Sequence, residues 1–227
     1  MQSVVPKAVA RARTVASSIG FRLESRRRGT HQVSHATWED RYPEVFESVS
    51  VLLGKRDDLR ILSFGCSTGE EVRTLARLFP GAEIVGADIS ERTLRKASAA
   101  CRDLPQCSFV NPSRTSLGSL GPFDVAFAMS VLCKHPQTEL SEDISAIYPF
   151  REFESSCDEL ASLLKSMGLL VIYNSNYRFT DTPVSRSFAR IESIAIPDSG
   201  FVVKFDPDGR RSTGETYTAC VFQKLSG

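Results

Sequence analysis

A run of small residues is the first place in the chain where residue type and spacing suggest chemistry. It follows the apolar stretch Ile61–Phe64 and precedes an amphipathic stretch with Val72, Leu75 and Phe79 on one face. Small residues let the backbone approach a ligand closely, and the first turn of a helix offers N–H groups that have no partner within the helix. The residues of this loop are Gly65, Cys66, Ser67, Thr68 and Gly69.

A carboxylate follows the loop at the distance that nucleotide binding requires. The next apolar stretch, Glu83–Ala87, ends at Asp88. An acid at the tip of the second strand, about 20 residues after the loop, can accept hydrogen bonds from both hydroxyls of a ribose. The alternative is that Asp88 only precedes a helix whose N-cap is Ser90. Together the loop and the acid predict a strand–loop–helix–strand unit that binds a nucleoside.

The loop spacing resembles that of a known family. Gly65-x-Ser67-x-Gly69 is similar to the nucleoside-binding loop of class I S-adenosylmethionine-dependent methyltransferases, and GCSTGEE (65–71) looks most like the loop of the chemotaxis-receptor glutamate methyltransferases. The family usually has an acid two residues before the first glycine, where this chain and the chemotaxis-receptor branch have a serine, here Ser63. A dinucleotide enzyme would instead show G-x-G-x-x-G. The resemblance implies S-adenosyl-L-methionine as the cofactor, and another nucleotide is the alternative.

The same resemblance implies roles for residues beyond the loop. Asp88 would hold the ribose hydroxyls, and Ile89 would pack on the adenine. Asn111 stands where the family often has an acid facing the adenine amino group, and an Asn-Pro turn residue is the alternative. Met129 and Ser130 would line the methionine end of the cofactor. For Met129, packing in the hydrophobic core is an equal alternative.

The acceptor side offers weaker signals. Methyl transfer from a sulfonium needs positioning and, for a hydroxyl or amine acceptor, a base. His135 follows the fourth predicted strand, at the sheet edge where ligands of α/β proteins bind, and is our candidate base. A surface or helix-capping histidine is the alternative. The family often builds an acceptor lid before the domain, and the candidates there are His31, His35, Trp38 and Tyr42. Further polar candidates for the pocket are Tyr148, Asn174, Asn176, Tyr177 and Arg178.

The segment after the fourth predicted strand argues against several classes of acceptor. SVLCKHP (130–136) lacks the [DNS]-P-P-[YF] of amino-methylating DNA enzymes and the Pro-Cys nucleophile of cytosine-C5 enzymes. The chemotaxis-receptor enzymes have Arg-Asn where this chain has Met129-Ser130. We therefore predict methylation of a small-molecule or glycan acceptor on oxygen or nitrogen. The alternative is a non-catalytic cofactor-binding or scaffolding protein, because Ser166-Met167 replace the Pro-Gly that is usual before the fifth strand.

Composition predicts an ordinary globular protein. Of the 227 residues, 41% are hydrophobic and 24% are charged. The six cysteines contain no C-x-x-C pair and no zinc spacing, so we predict free thiols, no metal site and a cytoplasmic location. No nucleic-acid-binding signature is present.

The order of apolar segments predicts the fold. Phe123–Leu132 and Leu169–Asn174 are continuous apolar runs, which are typical of strands buried on both faces. We predict a helix over Phe153–Lys165 that Met167-Gly168 stops, and Phe201–Phe205 should pair with the β-rich segment 217–224. We predict an α/β fold in which residues 37–227 form a class I methyltransferase domain. Its core would be a Rossmann-like, mostly parallel seven-stranded sheet with helices on both faces and an antiparallel last strand.

Residues 1–36 form a basic amphipathic extension in this interpretation. Its first 30 residues contain seven Lys or Arg and one acid, and the apolar face consists of Val5, Val9, Ala12, Ala16, Ile19 and Leu23. One interpretation is a helix packed on its own domain or on a partner chain. A second is peripheral contact of residues 1–28 with an anionic membrane. A third is an organelle transit peptide.

Overall fold

The structure is a computed structural model that describes residues 40–54, 56–214 and 216–226. The predicted extension (1–36), with His31 and His35, lies outside the described residues, and so does Trp38. The helices are α1 (Pro43–Leu53), α2 (Glu70–Leu78), α3 (Glu91–Ala100) and α4 (Phe150–Ser162). The strands are β1 (Arg60–Phe64), β2 (Glu83–Ala87), β3 (Cys107–Val110), β4 (Phe123–Met129), β5 (Leu164–Tyr173), β6 (Phe188–Arg190) and β7 (Val221–Lys224).

All seven strands form one sheet in the order β3-β2-β1-β4-β5-β7-β6. The first five strands are parallel, and β7 runs antiparallel to both of its neighbours, β5 and β6. The chain moves outward from β1 to β3 and then returns to the other side of β1 as β4. This reversal leaves a crevice at the carboxyl ends of β1 and β4, where open α/β sheets bind ligands. The predicted fold class is confirmed.

The central strands are buried on both faces because successive side chains point in opposite directions. Ile61 packs in the cluster that contains Phe46 of α1 and Leu75 of α2. Its neighbour Leu62 packs in the opposite cluster, with Phe153 of α4. Helices therefore cover both faces of the sheet, and the carboxyl edge of the strands stays available for a site. None of the helices in the described ranges is both long and apolar enough to cross a bilayer.

The predicted end of the last helix is wrong. Helix α4 ends at Ser162, and Met167-Gly168 belong to β5, which already begins at Leu164. The strand bulges there: Met167 has a left-handed φ of 62°, and the register with β4 shifts between Phe123 and Val125. Residues 165–168 therefore extend the strand and do not terminate a helix.

The predicted partner of the last strand is also wrong. Phe201–Phe205 is not a strand, and β7 pairs instead with β6 (Phe188–Arg190). The amide of Phe205 donates to the carbonyl of Asn176 at 2.8 Å, so its segment lies beside the connection that leaves β5. Because these backbone groups are used at the carboxyl edge of the sheet, they do not extend its ladder.

Candidate functional site

The small-residue loop folds back tightly onto β2. The amide of Gly65 donates to the carbonyl of Ala87 at 2.8 Å. Gly65, Ser67 and Gly69 have left-handed φ angles of 84°, 50° and 97°. A Cβ at Gly65 would overlap the side chain of Val131, so glycine is required there for space as well as for conformation. The loop thus leaves β1, is hydrogen-bonded to the end of β2 and contacts the segment that follows β4.

The other two loop residues have local roles. Cys66 is buried, and its Sγ would lie 3.0 Å from a Cβ placed on Gly86. Burial raises the pKa of the Cys66 thiol well above its usual value, which keeps it protonated. Thr68 donates its hydroxyl to the carboxylate of Glu70 at 2.8 Å. Cys66 therefore fills space beneath the loop, and Thr68 orders the first turn of α2.

Asp88 holds the loop and the start of α3 at the same time. Its Oδ2 accepts a hydrogen bond from the amide of Ser67 at 3.0 Å. Its Oδ1 accepts from the amide of Ser90 at 2.8 Å and from the hydroxyl of Thr93 at 3.1 Å. The contacts of Oδ1 show that Asp88 also supports the start of the helix capped by Ser90, as in the alternative given for it above. A carboxylate offers about four lone-pair positions, so Oδ2 keeps capacity for a ligand hydroxyl.

The hydroxyl of Ser67 is buried without a hydrogen-bond partner in the described part of the chain. Its own amide is the group that contacts Asp88, so the hydroxyl belongs to the same loop–acid junction. Leaving a buried polar group unpaired costs about 1–3 kcal/mol. A polar ligand at this junction would supply the missing partner.

Asn111 is engaged on both sides of its amide. Its Nδ2 donates to the carbonyl of Ile89 at 3.1 Å and to the carboxylate of Glu91 at 2.9 Å. Its Oδ1 accepts from the amide of Ser113 at 2.9 Å, which is an Asx turn. The structure thus shows the turn and brings Asn111 against half-buried Ile89. The adenine contacts of both residues stay predictions.

Three polar side chains meet where β4 and β5 end. The hydroxyls of Ser130 and Tyr42 are 2.6 Å apart, and Nδ2 of Asn174 lies 3.2 Å from each. Ser130 and Asn174 have left-handed φ angles of 55° and 54° as the chain leaves each strand. Burial raises the pKa of Tyr42, so its phenol is neutral. Met129, just before Ser130, is buried in the cluster that packs under α1 and α2.

Glu71 is a site residue that the sequence analysis missed. Ser63 donates its hydroxyl to Oε1 of Glu71 at 2.7 Å. Dense surrounding protein raises the pKa of Glu71 to about 8, against the lowering effects of the Ser63 hydrogen bond and the positive charge of Arg41. Part of the Glu71 surface still reaches solvent. The sequence offered one indication of this role. Position 63 lacks the acid that the resembled family usually has there, and Glu71, in the first turn of α2, brings a carboxyl group beside it.

A pocket of about 470 Å³ opens beside this polar cluster. It lies between the start of α1 and the segment after β6, and its lining residues are Arg41, Tyr42, Pro43, Glu44, Val45, Tyr173, Ile196, Ser199 and Phe201. Tyr42 belongs both to this lining and to the cluster with Ser130. The pocket therefore adjoins the carboxyl edge of the sheet, where an acceptor would have to bind.

His135 lies against one wall of the pocket. Its ring centroid is 3.9 Å from that of Phe201, and the histidine is half-buried. Phe201 lines the pocket, so the structure brings His135 to the edge of this pocket. Its role as a base stays a prediction.

The remaining polar candidates have structural contacts. Tyr148 and Tyr177 are buried, with ring centroids 5.6 Å apart. Asn176 is also fully buried, and its side chain holds neighbouring loops by hydrogen bonds. The guanidinium of Arg178 lies over the ring of Tyr217 at 5.7 Å. These residues support the loops around the pocket and do not line it.

Comparison with known proteins agrees with this geometry. Residues 62–148 match the family model described as a methyltransferase domain, Methyltransf_12. The chain is 33% identical over 92 residues to a trans-aconitate 2-methyltransferase of Deinococcus radiodurans, a match covering 39% of this chain and 34% of the relative. It is 42% identical over 78 residues to the probable biofilm formation methyltransferase WspC of Pseudomonas putida, covering 28% of this chain and 18% of the relative. The chain thus spans about a third or less of the length of these curated relatives.

A solved structure shares the whole architecture. The N-methyltransferase NodS from Bradyrhizobium japonicum WM9 superposes with a TM-score of 0.53 at 15% identity, over 82% of this chain and 99% of that one. At this identity the likeness concerns the fold alone. The sheet order, the loop that Asp88 holds and the family match over residues 62–148 agree with one another. Residues 62–148 are therefore similar to a methyltransferase domain, and the chain shares the fold of a solved methyltransferase.

Proposed function

We propose that the protein transfers a methyl group from S-adenosylmethionine to a small-molecule or glycan acceptor, on oxygen or nitrogen. The observation that carries this proposal is the junction of the loop and Asp88, where the buried hydroxyl of Ser67 lacks a partner. The pocket that Tyr42 lines adjoins the same sheet edge. A donor site and an acceptor site would thus lie side by side.

The residues at the junction fit the cofactor of this domain family. Asp88 would accept a hydrogen bond from a ribose hydroxyl through Oδ2, and the hydroxyl of Ser67 would gain a polar partner. Ile89 would pack on the adenine, with Asn111 beside it. Glu71 would face the ammonium of the methionine part, because it brings a carboxylate to the end of β1. When bound, the cofactor supplies a methyl group already activated on a sulfonium.

The contribution of the chain to transfer is mainly positioning. Because the methyl group is activated, correct placement of the acceptor provides most of the acceleration. Ser130 and Tyr42 would border the methyl group at the end of β4, with Met129 beneath them. His135 would accept the proton that a hydroxyl or amine acceptor loses.

Two further observations support this acceptor class. The name of the Deinococcus radiodurans relative, a trans-aconitate 2-methyltransferase, gives it a small-molecule acceptor. The loop GCSTGEE (65–71) resembles that of the chemotaxis-receptor glutamate methyltransferases, but Met129-Ser130 differ from their fourth-strand motif. The likeness therefore concerns the cofactor half of the site. The free cysteines support a cytoplasmic location, and residues 1–28 are the candidate contact with an anionic membrane.

Calorimetry with matched variants tests the cofactor assignment. A hydrogen bond to a charged group contributes about 1.5–3 kcal/mol, so Asp88→Ala should weaken binding of S-adenosylmethionine and S-adenosylhomocysteine on the order of 10- to 100-fold. Thr93→Val is the control, because it removes a hydrogen bond from Asp88 at the start of α3 and leaves the carboxylate in place. The proposal is wrong if the wild type binds neither compound, or if Asp88→Ala binds them as the wild type does.

A further inference from the structure

The tyrosines that line the pocket offer ring surface more than hydroxyl groups. The hydroxyl of Tyr42 is bound to Ser130 and Asn174. The hydroxyl of Tyr173 donates to the carbonyl of Pro197 at 2.8 Å. The two rings meet edge to face, with their centroids 5.0 Å apart. A ligand in the pocket would therefore meet aromatic walls.

The neutral polar group in the lining is also used within the protein. Ser199 donates its hydroxyl to Oδ1 of Asn174 at 2.9 Å and accepts from the amide of Phe201 at 3.3 Å. The charged lining residues are Arg41, which is half-buried, and Glu44, which is exposed at the rim. Charge recognition in the pocket would thus depend on Arg41.

The guanidinium of Arg41 lies over two of the aromatic rings in the pocket lining. Its guanidinium carbon lies 4.9 Å from the ring centroid of Tyr42 and 5.9 Å from that of Phe201. Rings of this kind attract cations, and here the cation is part of the protein. An ammonium ligand would meet a like charge, whereas a carboxylate matches the planar, forked donors of a guanidinium. The positive charge of Arg41 also opposes the rise in the pKa of Glu71, so it acts as far as the end of β1.

We propose that this pocket binds the acceptor through a carboxylate on Arg41, with an apolar or aromatic body against Tyr42, Tyr173 and Phe201. The inference rests on the proposed function and narrows its acceptor class. The volume of about 470 Å³ lies in the range of small-molecule sites, about 300–1,000 Å³. A compact organic acid fits such a space.

A charge series on one ring tests the proposal without knowing the natural acceptor. Benzoate, benzamide and benzylamine share a body and differ in charge, and their binding is measured by ligand-observed NMR with saturating S-adenosylhomocysteine. Benzoate should bind at least about tenfold more tightly than benzamide, because charge-assisted bidentate contacts are the stronger ones. Benzylamine should bind most weakly. Equal affinities for benzoate and benzamide, or tighter binding of benzylamine, would overturn the proposal.

Variants locate the effect in the pocket. Arg41→Met should abolish the preference for benzoate, and Arg41→Lys should keep part of it. Glu47→Gln, on the exposed side of α1 and outside the pocket lining, is the matched control and should retain benzoate binding, because it leaves the guanidinium in place. Phe201→Ala should weaken all three probes alike. Circular dichroism confirms that each variant is folded. Persistence of the benzoate preference in folded Arg41→Met would contradict the assignment.

The two proposals fail separately. If the wild type binds S-adenosylhomocysteine but shows no preference for benzoate, the acceptor inference is wrong and the proposed function stands. If it shows the benzoate preference, measured also without S-adenosylhomocysteine, but binds neither form of the cofactor, the pocket chemistry is correct and the proposed function is wrong.

Discussion

The hydroxyl of Ser63 and the carboxylate of Glu71 form a hydrogen bond of 2.7 Å between the end of β1 and the first turn of α2. In the class I methyltransferases that the loop resembles, the strand itself usually carries an acid at the position of Ser63. Here the helix supplies the carboxylate from a different backbone position. A glutamate thus stands beside the serine, and this corner of the site still contains a carboxyl group.

The raised pKa of Glu71 predicts a pH-dependent loss of stability in the cofactor-free protein. Its folded pKa is about 8, against an ordinary value of 4.5. Between these values the folded state keeps a proton that the unfolded state has released. The contribution of Glu71 to stability is therefore greatest below pH 4.5, falls as the pH rises, and levels off above about pH 8.

Glu71→Gln should remove this slope, because glutamine does not titrate. Relative to wild type, the variant should gain stability from about pH 5 to about pH 8, measured as the midpoint of urea unfolding. Glu47→Gln, on the exposed side of α1, controls for the loss of one negative charge. Parallel pH profiles for wild type and Glu71→Gln would show that the carboxyl is not perturbed.

The contact between His135 and Phe201 allows a base to be distinguished from a packing residue. If His135 is the base, His135→Asn should lower turnover by roughly 10²–10⁴, with cofactor affinity nearly unchanged. His135→Phe can keep the ring contact with Phe201 but cannot accept a proton, so it should be equally impaired. The measurement is release of S-adenosylhomocysteine with an identified acceptor. Wild-type turnover in His135→Phe would assign His135 to packing.

A largely buried ion pair joins the two ends of the segment that contains Ser199 and Phe201 of the pocket lining. Nζ of Lys204 lies 2.6 Å from Oδ2 of Asp198, in ion-pair contact without good hydrogen-bond angles, and each side chain is 12% exposed. Asp198 also accepts from the amide of Asn174 through Oδ1. Removing one partner leaves a buried charge, which typically costs about 3–5 kcal/mol. Asp198→Asn and Lys204→Met should each destabilise the protein by about this amount in urea unfolding.

The double variant Asp198→Asn/Lys204→Met provides the control for this prediction. It removes both charges, so it should recover part of the stability that each single change loses. Additive losses in the double variant would mean that the two charges are not coupled. Single variants as stable as wild type would mean that the pair is solvated and contributes little.

Much of the region around the loop and Asp88 could be predicted from the local sequence. β2 has the predicted bounds and β1 begins one residue earlier, because strand-forming apolar runs bounded by turns are local signals. The capping role of Ser90 at the start of α3 is also confirmed, with its hydroxyl accepting from the amide of Thr93. The tight loop between Gly65 and Gly69 could be predicted because small residues permit tight turns. The junction with Asp88 follows once β1 and β2 are adjacent.

The acceptor half was decided by the tertiary structure. Tyr42 meets Ser130 across 88 positions of sequence and Asn174 across 132, and the pairing of β6 with β7 replaced the predicted partner. Local periodicity reports which face of an element is apolar, but it does not report which distant elements share an edge of the sheet. The sequence alone therefore determined the small-residue loop and the acid that contacts it. Only the packed chain brought Arg41 over Phe201, because that contact depends on how distant segments fold against one another.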